Sequence, residues 1–200
     1  MTTYEIGRLL RAGTTGFLAG CSVSQLKAPS FGALVCAPLS EDYKIYGIIH
    51  DIHIDDDGLV RQLVTASQVD ESTVADSRVN RIVPVEMSVL SVGYEQNETI
   101  SHLLPPRPPL SLDRVYLCNE AELLRFVRAG RFGYFRHILQ AQEVPVGELL
   151  AAHLLQVKQA AGDEDWARRA TRELITLLRD DYPTLMAVLG ALGDALPGEA

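Results

Sequence analysis

The chain has 200 residues, of which 18 are lysine or arginine and 26 are aspartate or glutamate, so its net charge at pH 7 is −8. It is long enough to bury a sizeable core, and its apolar fraction of 47% and charged fraction of 22% exclude wholesale disorder. The negative charge repels phosphate backbones at long range, so binding of nucleic acid would need a local basic patch.

Short β-strands are predicted for the first half of the chain. The run from Tyr4 to Leu10 is followed by Ala12 and Gly13, and a later apolar run ends in an acidic turn at Gly58. Glycines inside strands destabilise a sheet unless it bends sharply or another backbone comes close, and a small closed barrel has such bends. We therefore predict a barrel that is shaped by its glycines, without contact between them and a ligand. These glycines are Gly7, Gly13, Gly16 and Gly20.

The barrel is expected to continue to about residue 104. Residues 70–80 have the pattern of a short polar helix, residues 84–94 alternate as a strand does, and residues 99–104 form the last expected strand. Four prolines then occupy five positions from Pro105 to Pro109, which favours a stiff extended segment. The predicted domain bounds are 1–104 for the barrel, 105–115 for a proline-rich tether and 116–200 for a helical domain.

Helices are predicted beyond Tyr116, where the apolar period changes from two to about 3.6 residues. Asn119 and Glu122 have the spacing of a capping box at the start of the first helix. A later apolar stripe over residues 146–157 includes His153, which we interpret as a hydrogen-bonded core histidine. The predicted fold class is α+β, with an N-terminal small closed β-barrel followed by a C-terminal α-helical bundle. Further helix boundaries are expected at Gly162, Asp163, Asp181 and Pro183.

The order of the glycine-rich and aliphatic segments resembles a known barrel. The segments are Glu5 to Leu10, Thr14 to Gly20, Gly32 to Ala37 and Tyr46 to Ile49, with Leu104 to Leu110 and Asp113 to Tyr116 at the exit. In this order they resemble the HAS barrel, the N-terminal β-barrel shared by HerA-type DNA-translocating ATPases and the catalytic subunits of rotary ATP synthases. The resemblance covers roughly the first half of the chain.

The resemblance implies a role in subunit contacts, because the barrel of those relatives crowns a hexameric ring and offers a docking surface. A HerA-type ATPase would continue into a nucleotide-binding domain with a glycine-rich phosphate loop, and this chain has no such loop. The sequence therefore predicts a non-enzymatic assembly or adaptor protein without a cofactor. The expected partner is a protein: a separate HerA-type ATPase, or a second copy of this chain in a homo-oligomer.

A segment rich in arginine and aromatic residues, residues 125–137, is the candidate contact surface of this acidic chain. Arginine and aromatic side chains are the usual hot-spot residues of protein interfaces, so an acidic partner surface is one interpretation. Binding of single-stranded nucleic acid by a nucleic-acid-binding accessory factor is an alternative. Packing of the aromatic rings in the core, with solvated or paired arginines, is another. The predicted contact residues are Arg125, Arg128, Arg131, Phe132 and Phe135.

A metal site is a weaker candidate, at Asp51, His53 and Asp55. Alternation along the strand places these three side chains on one face, and carboxylate with imidazole suits zinc or manganese. The corresponding alternative function is a small metal-dependent enzyme. A polar outer face that leads into an Asp-Gly turn would give the same pattern without a metal.

The cysteines and the start of the chain indicate a compartment. Cys21, Cys36 and Cys118 are odd in number and widely spaced, which favours neither a disulfide framework nor a zinc site. The segment from Met1 to Gly13 carries Glu5, Arg8 and Arg11 among its apolar residues, so it lacks the uninterrupted apolar region of a signal peptide. No window reaches the roughly 18 apolar residues that span a bilayer. We expect a soluble cytoplasmic protein without a membrane partner.

Overall fold

The structure, a computed structural model, describes residues 4–22, 29–55, 58–66, 69–79, 83–161 and 164–195. Within these ranges the chain forms seven strands and seven helices. The strands are β1 (Tyr4–Ala12), β2 (Gly16–Cys21), β3 (Leu34–Ser40), β4 (Tyr43–Ile54), β5 (Val85–Gln96), β6 (Thr99–Ser101) and β7 (Arg114–Leu117). The helices are α1 (Gly58–Thr65), α2 (Glu71–Val79), α3 (Glu120–Arg128), α4 (Phe135–Leu139), α5 (Val146–Ala161), α6 (Glu164–Leu177) and α7 (Tyr182–Ala195).

Six antiparallel strands form a closed barrel. Their order is β2-β1-β7-β3-β4-β5, and pairing of β2 with β5 closes the sheet. The three-residue strand β6 pairs with β5. The structure thus confirms a closed β-barrel in an α+β protein. It differs from the expectation in β7, because the barrel includes this strand beyond the proline-rich segment, between β1 and β3.

One apolar core is formed by residues from all six barrel strands. Ile6, Val35, Ile49 and Met87 are fully buried in it. The barrel is narrow where β1, β2 and β5 meet, since a Cβ atom on Gly7 would lie 2.4 Å from the carbonyl oxygen of Gly20. A Cβ atom on Gly16 would lie 2.5 Å from the carbonyl oxygen of Val89. Close backbone approach therefore explains these two glycines, as predicted.

A second apolar core joins the outside of the barrel to the helices that follow β7. Tyr46 and Ile48 of β4 belong to the same buried cluster as Phe126 of α3, Leu150 of α5 and Leu174 of α6. Successive residues of a strand point to opposite faces of the sheet, so β4 contributes to both cores. This shared packing places the helices against one wall of the barrel.

The proline-rich segment lies along β1. The amide of Leu112 donates to the carbonyl oxygen of Leu9 at 2.8 Å. The amide of Leu9 in turn donates to the carbonyl oxygen of Asp113 at 2.9 Å. Pro105 and Pro109 are buried. Backbone hydrogen bonds and buried prolines hold this segment against the barrel before it enters β7.

The observed helices match most of the expected ones. At α3 the capping box is complete, because Asn119 Oδ1 accepts from the Glu122 amide at 3.0 Å and Glu122 Oε2 accepts from the Asn119 amide at 3.1 Å. Helix α2 agrees with the short polar helix expected over 70–80, whereas α1 occupies a segment for which only a turn at Gly58 was expected. The predicted boundaries at Gly162 and Asp163 lie outside the described residues. Within the described ranges, no helix is long and apolar enough to cross a membrane.

Candidate functional site

A groove between α6 and the loop that joins α3 to α4 collects basic side chains. Arg128 and Arg131 line one wall, and Arg169 and Arg172 of α6 line the other. The groove has a volume of about 440 Å³, and all four arginines are exposed. We call it the arginine groove, and its residues are Val127, Arg128, Gly130, Arg131, Phe132, Trp166, Arg169, Arg172, Glu173 and Thr176.

Aromatic packing fixes the floor of the arginine groove. The half-buried Phe132 ring stacks on Phe135 with centroids 5.3 Å apart, and it packs against Trp166 at 5.5 Å. Phe132 has φ 52°, which is uncommon for a residue with a side chain and costs on the order of 1–3 kcal/mol. The preceding Gly130 also has a positive φ, of 71°. Packing of these rings anchors the loop that lies beside Arg128 and Arg131.

The four guanidinium groups of the groove are available to a ligand. Within the described residues, none of them forms a salt bridge with a carboxylate. The basic residues of α6 lower the pKa of the exposed Asp165. A hydrogen bond from Arg168 has the largest effect, and the charges of Arg169 and Arg172 lower the pKa further. The groove therefore presents positive charge on a protein of net charge −8.

Arg125, the first of the predicted contact residues, binds within the protein. Its guanidinium donates to Glu95 Oε2 at 2.5 Å, and the Tyr46 hydroxyl donates to the same oxygen at 2.7 Å. Lys44 Nζ lies 3.3 Å from Glu95 and 3.5 Å from Glu122. Burial alone would raise the pKa of Glu95, but the hydrogen bonds from Tyr46 and Arg125 and the charge of Lys44 lower it on balance. This network joins α3 to the barrel, which is a structural role.

The other predicted contact residues divide between the surface and the core. Arg128 and Arg131 are exposed, and Phe132 is half-buried at the groove floor. Phe135 is fully buried, as is Phe126. The structure thus brings three of the five residues together in one groove. Sequence reasoning missed Arg169, Arg172 and Trp166, although arginines three positions apart on an amphipathic helix indicate a basic face.

The buried histidines have structural partners. His153 is fully buried, its Nδ1 donates to the Gly32 carbonyl oxygen at 3.0 Å, and its Nε2 accepts from the Tyr134 hydroxyl at 3.2 Å. Desolvation lowers its pKa to about 4, so the ring is neutral at pH 7. The prediction of a hydrogen-bonded core histidine is confirmed. His102 and His137, which are distant in sequence, are adjacent, because His137 Nε2 donates to the His102 carbonyl oxygen at 2.9 Å.

The residues of the metal candidate lie on the exposed end of β4. His53 Nε2 is 2.9 Å from Asp55 Oδ1, and both side chains are more than half exposed. Asp51 is also exposed. Within the described part of the chain, no group of three or more His, Cys, Asp or Glu side chains is arranged to hold a metal ion. The exposed positions of Asp51, His53 and Asp55 agree with the alternative interpretation, a solvated polar face of the strand.

Two of the cysteines that are far apart in sequence meet in the fold. Cys36 of β3 and Cys118, directly after β7, are in hydrogen-bond contact, and burial raises the pKa of the Cys118 thiol first, with Cys36 adding to the effect. Cys21 is buried in the barrel, where desolvation raises its pKa. The raised pKa values keep the Cys21 and Cys118 thiols protonated at pH 7 and unsuited to nucleophilic attack, since the thiolate is the reactive form.

No protein-family model matches the chain, and no curated protein sequence matches it. The arginine groove is accordingly interpreted from its own geometry and charge.

Proposed function

We propose that the protein is a non-enzymatic assembly or adaptor protein that binds an acidic segment of a protein partner in the arginine groove. One observation carries this proposal: four arginines without a salt bridge to any described carboxylate surround an aromatic floor on an acidic chain. Arginine forms paired hydrogen bonds with carboxylates, and arginine with aromatic residues dominates the energetics of protein interfaces.

The placement of the aromatic rings favours a peptide over a nucleic acid. Stacking of bases needs ring faces that are open to the solvent. Phe135 is fully buried and Trp166 is 2% exposed, while the Phe132 ring is covered by both of them. A bulky apolar side chain of a peptide can instead contact the exposed part of the Phe132 ring. Its neighbouring carboxylates would then face the arginines.

The barrel supports a role in assembly. A small closed barrel with helices packed on one wall offers surface for contacts with other proteins, and the sequence resemblance to the HAS barrel favours a docking module. The proposed partners are a HerA-type ATPase and, for self-association, a second copy of this chain. In this proposal the C-terminal helices act as a bundle that carries the groove, and the protein works in the cytoplasm.

A selection from a peptide library tests the proposal without assuming a partner. A library of twelve-residue displayed peptides is selected on the immobilised wild-type protein, and the enriched peptides are measured by fluorescence anisotropy. We expect peptides rich in aspartate and glutamate with one bulky apolar residue. The double variant Arg128→Glu, Arg172→Glu should weaken their binding about ten-fold or more, because two charge-assisted contacts become repulsive.

The matched control reverses two arginines outside the groove, Arg61→Glu and Arg179→Glu, and should leave peptide affinity within about two-fold. Equal weakening by both double variants would show that only net charge matters and would contradict the proposal. A single-stranded oligonucleotide is measured in parallel. If the oligonucleotide binds with a steep salt dependence that the groove variant abolishes, the nucleic-acid alternative is correct instead.

A further inference from the structure

A second cleft lies on the barrel wall, apart from the arginine groove. Two adjoining cavities of about 360 and 450 Å³ share Thr15, His50 and Leu90. The first extends to Arg11 on β1, and the second extends to Gln140 in the linker between α4 and α5. We call the two cavities together the His50 cleft. Their sizes fall in the range of small-molecule sites, and the second cavity lies where the barrel meets the helical part, a preferred place for such sites.

The strand register explains how the cleft forms. Arg11 pairs with Leu18 across β1 and β2, and Leu18 pairs with Ser88 across β2 and β5. Directly paired residues share a face of the sheet, so these three side chains form one row. On β4 the register shifts just before Asp51, which leaves His50 without a partner on β5. Such a bulge redirects a side chain, and here His50 lines both cavities.

Four polar side chains of the cleft lack hydrogen-bond partners in the described part of the chain, whereas His137, which also lines it, donates to the His102 carbonyl oxygen. Within the described residues, the side chains of Arg11, Thr15 and His50 form no hydrogen bond, and Arg11 forms no salt bridge. Ser91, whose buried hydroxyl has no hydrogen-bond partner within the described chain, borders the second cavity. Desolvation lowers the pKa of His50 although Asp51 opposes this, so its ring is neutral at pH 7 and offers one donor and one acceptor.

Aliphatic side chains form much of the remaining lining. Leu18 and Val89 line the first cavity, and Leu104 and Val144 line the second, with Leu90 common to both. A cleft of this kind, with a single guanidinium at one end and aliphatic walls, matches a ligand with one anionic group and an apolar body. Amide groups of Gln140 and Gln142 at the other end can bind a second polar group.

We infer that the His50 cleft binds a small organic anion, a carboxylate or a phosphate monoester with an apolar body, through Arg11, Thr15 and His50. The anionic group is held by Arg11 at the β1–β2 turn, and the apolar body lies across Leu90 toward the helical part. This inference is independent of the proposed docking function, because none of the residues that line the arginine groove lines this cleft.

Titration of the ¹⁵N-labelled protein with four defined probes tests the inference. The probes are phenyl phosphate, benzoate, benzyl alcohol and inorganic phosphate. We expect saturable shifts of the Thr15, His50 and Leu90 amides with phenyl phosphate or benzoate. Benzyl alcohol and inorganic phosphate should bind at least about ten-fold more weakly, because each lacks one half of the recognised chemistry. The stronger of the two aromatic anions identifies the anionic group.

Variants locate the binding groups. Arg11→Gln removes the charge from an exposed position and should weaken binding of the aromatic anion about ten-fold or more, whereas Arg8→Gln on the same strand should change it less than two-fold. Ala141→Phe fills the second cavity and should also weaken binding. Absence of saturable shifts at 10 mM of either anion, on the order of the weakest useful affinity, overturns the inference. Equal effects of Arg11→Gln and Arg8→Gln also overturn it.

Discussion

Acidification should destabilise this protein through His153. The ring is buried and neutral in the native state, with a pKa of about 4 instead of 6.5. Between these two values the unfolded chain binds a proton that the native protein does not, so stability is retained above pH 6.5 and is lost as the pH falls toward 4. The gap of about 2.5 units corresponds to about 3 kcal/mol at 1.36 kcal/mol per unit.

The contribution of His153 is measured as a difference between two proteins. Urea denaturation at pH 7 and pH 4.5 gives the free energy of unfolding of the wild type and of His153→Gln. The variant is less stable at pH 7, since a fully packed hydrogen-bonded ring is lost. Its further loss on acidification should be about 2 kcal/mol smaller than that of the wild type, because its side chain does not titrate.

The comparison separates His153 from the other groups that titrate in this range. His50, His102 and His137 also have lowered pKa values, first because of burial, and they destabilise both proteins on acidification. Their contribution cancels in the difference. If the two proteins lose the same free energy between pH 7 and pH 4.5, to within about 0.5 kcal/mol, His153 is not a buried neutral residue and the reasoning fails.

Two further substitutions and one control test the packing between the barrel and the helices. Gly32→Ala should lower the free energy of unfolding, measured by urea denaturation, by about 2–4 kcal/mol, because φ is +83° and the new Cβ atom would lie 2.8 Å from a side chain of α5. The control, Gly190→Ala, places a Cβ atom in open space within α7 and should be neutral or stabilising by up to about 1 kcal/mol in the same assay. Equal effects of the two would contradict the packing described here. Glu95→Gln should lower the free energy of unfolding by about 1–3 kcal/mol, because Arg125 and Tyr46 lose their charged acceptor. A change below about 0.5 kcal/mol in thermal or urea unfolding would show that this network does not hold α3 to the barrel.

Local patterns of the sequence predict much of the fold. The capping box at Asn119 and Glu122 identifies the start of α3, because both hydrogen bonds are made within four residues. The closed barrel follows from several short strands and from glycines such as Gly7, where a neighbouring backbone leaves no room for a side chain. Strand β7 is not predictable in this way, since its four residues have no distinctive period and pair with β1 and β3 over long sequence separations.

The candidate site is only partly predictable for the same reason. The unusual composition of residues 125–137 identifies Arg128 and Arg131, and the structure places both in the arginine groove. Their opposing wall comes from α6, whose position depends on the packing of Trp166 against Phe132. Arg125 lies in the same segment but pairs with a carboxylate of β5, and no local pattern distinguishes it from its neighbours.

The apolar cluster shared by the barrel wall and the helices has a consequence for the cellular lifetime of the protein. Because the two parts are buried against each other, we expect them to unfold in a single cooperative transition, so occupancy of a surface site on either part protects both. A partner present at a hundred times its dissociation constant adds about 2.7 kcal/mol to the native state. If the proposed partner binds, protein molecules without it would unfold and be degraded more often, so abundance would follow the supply of that partner.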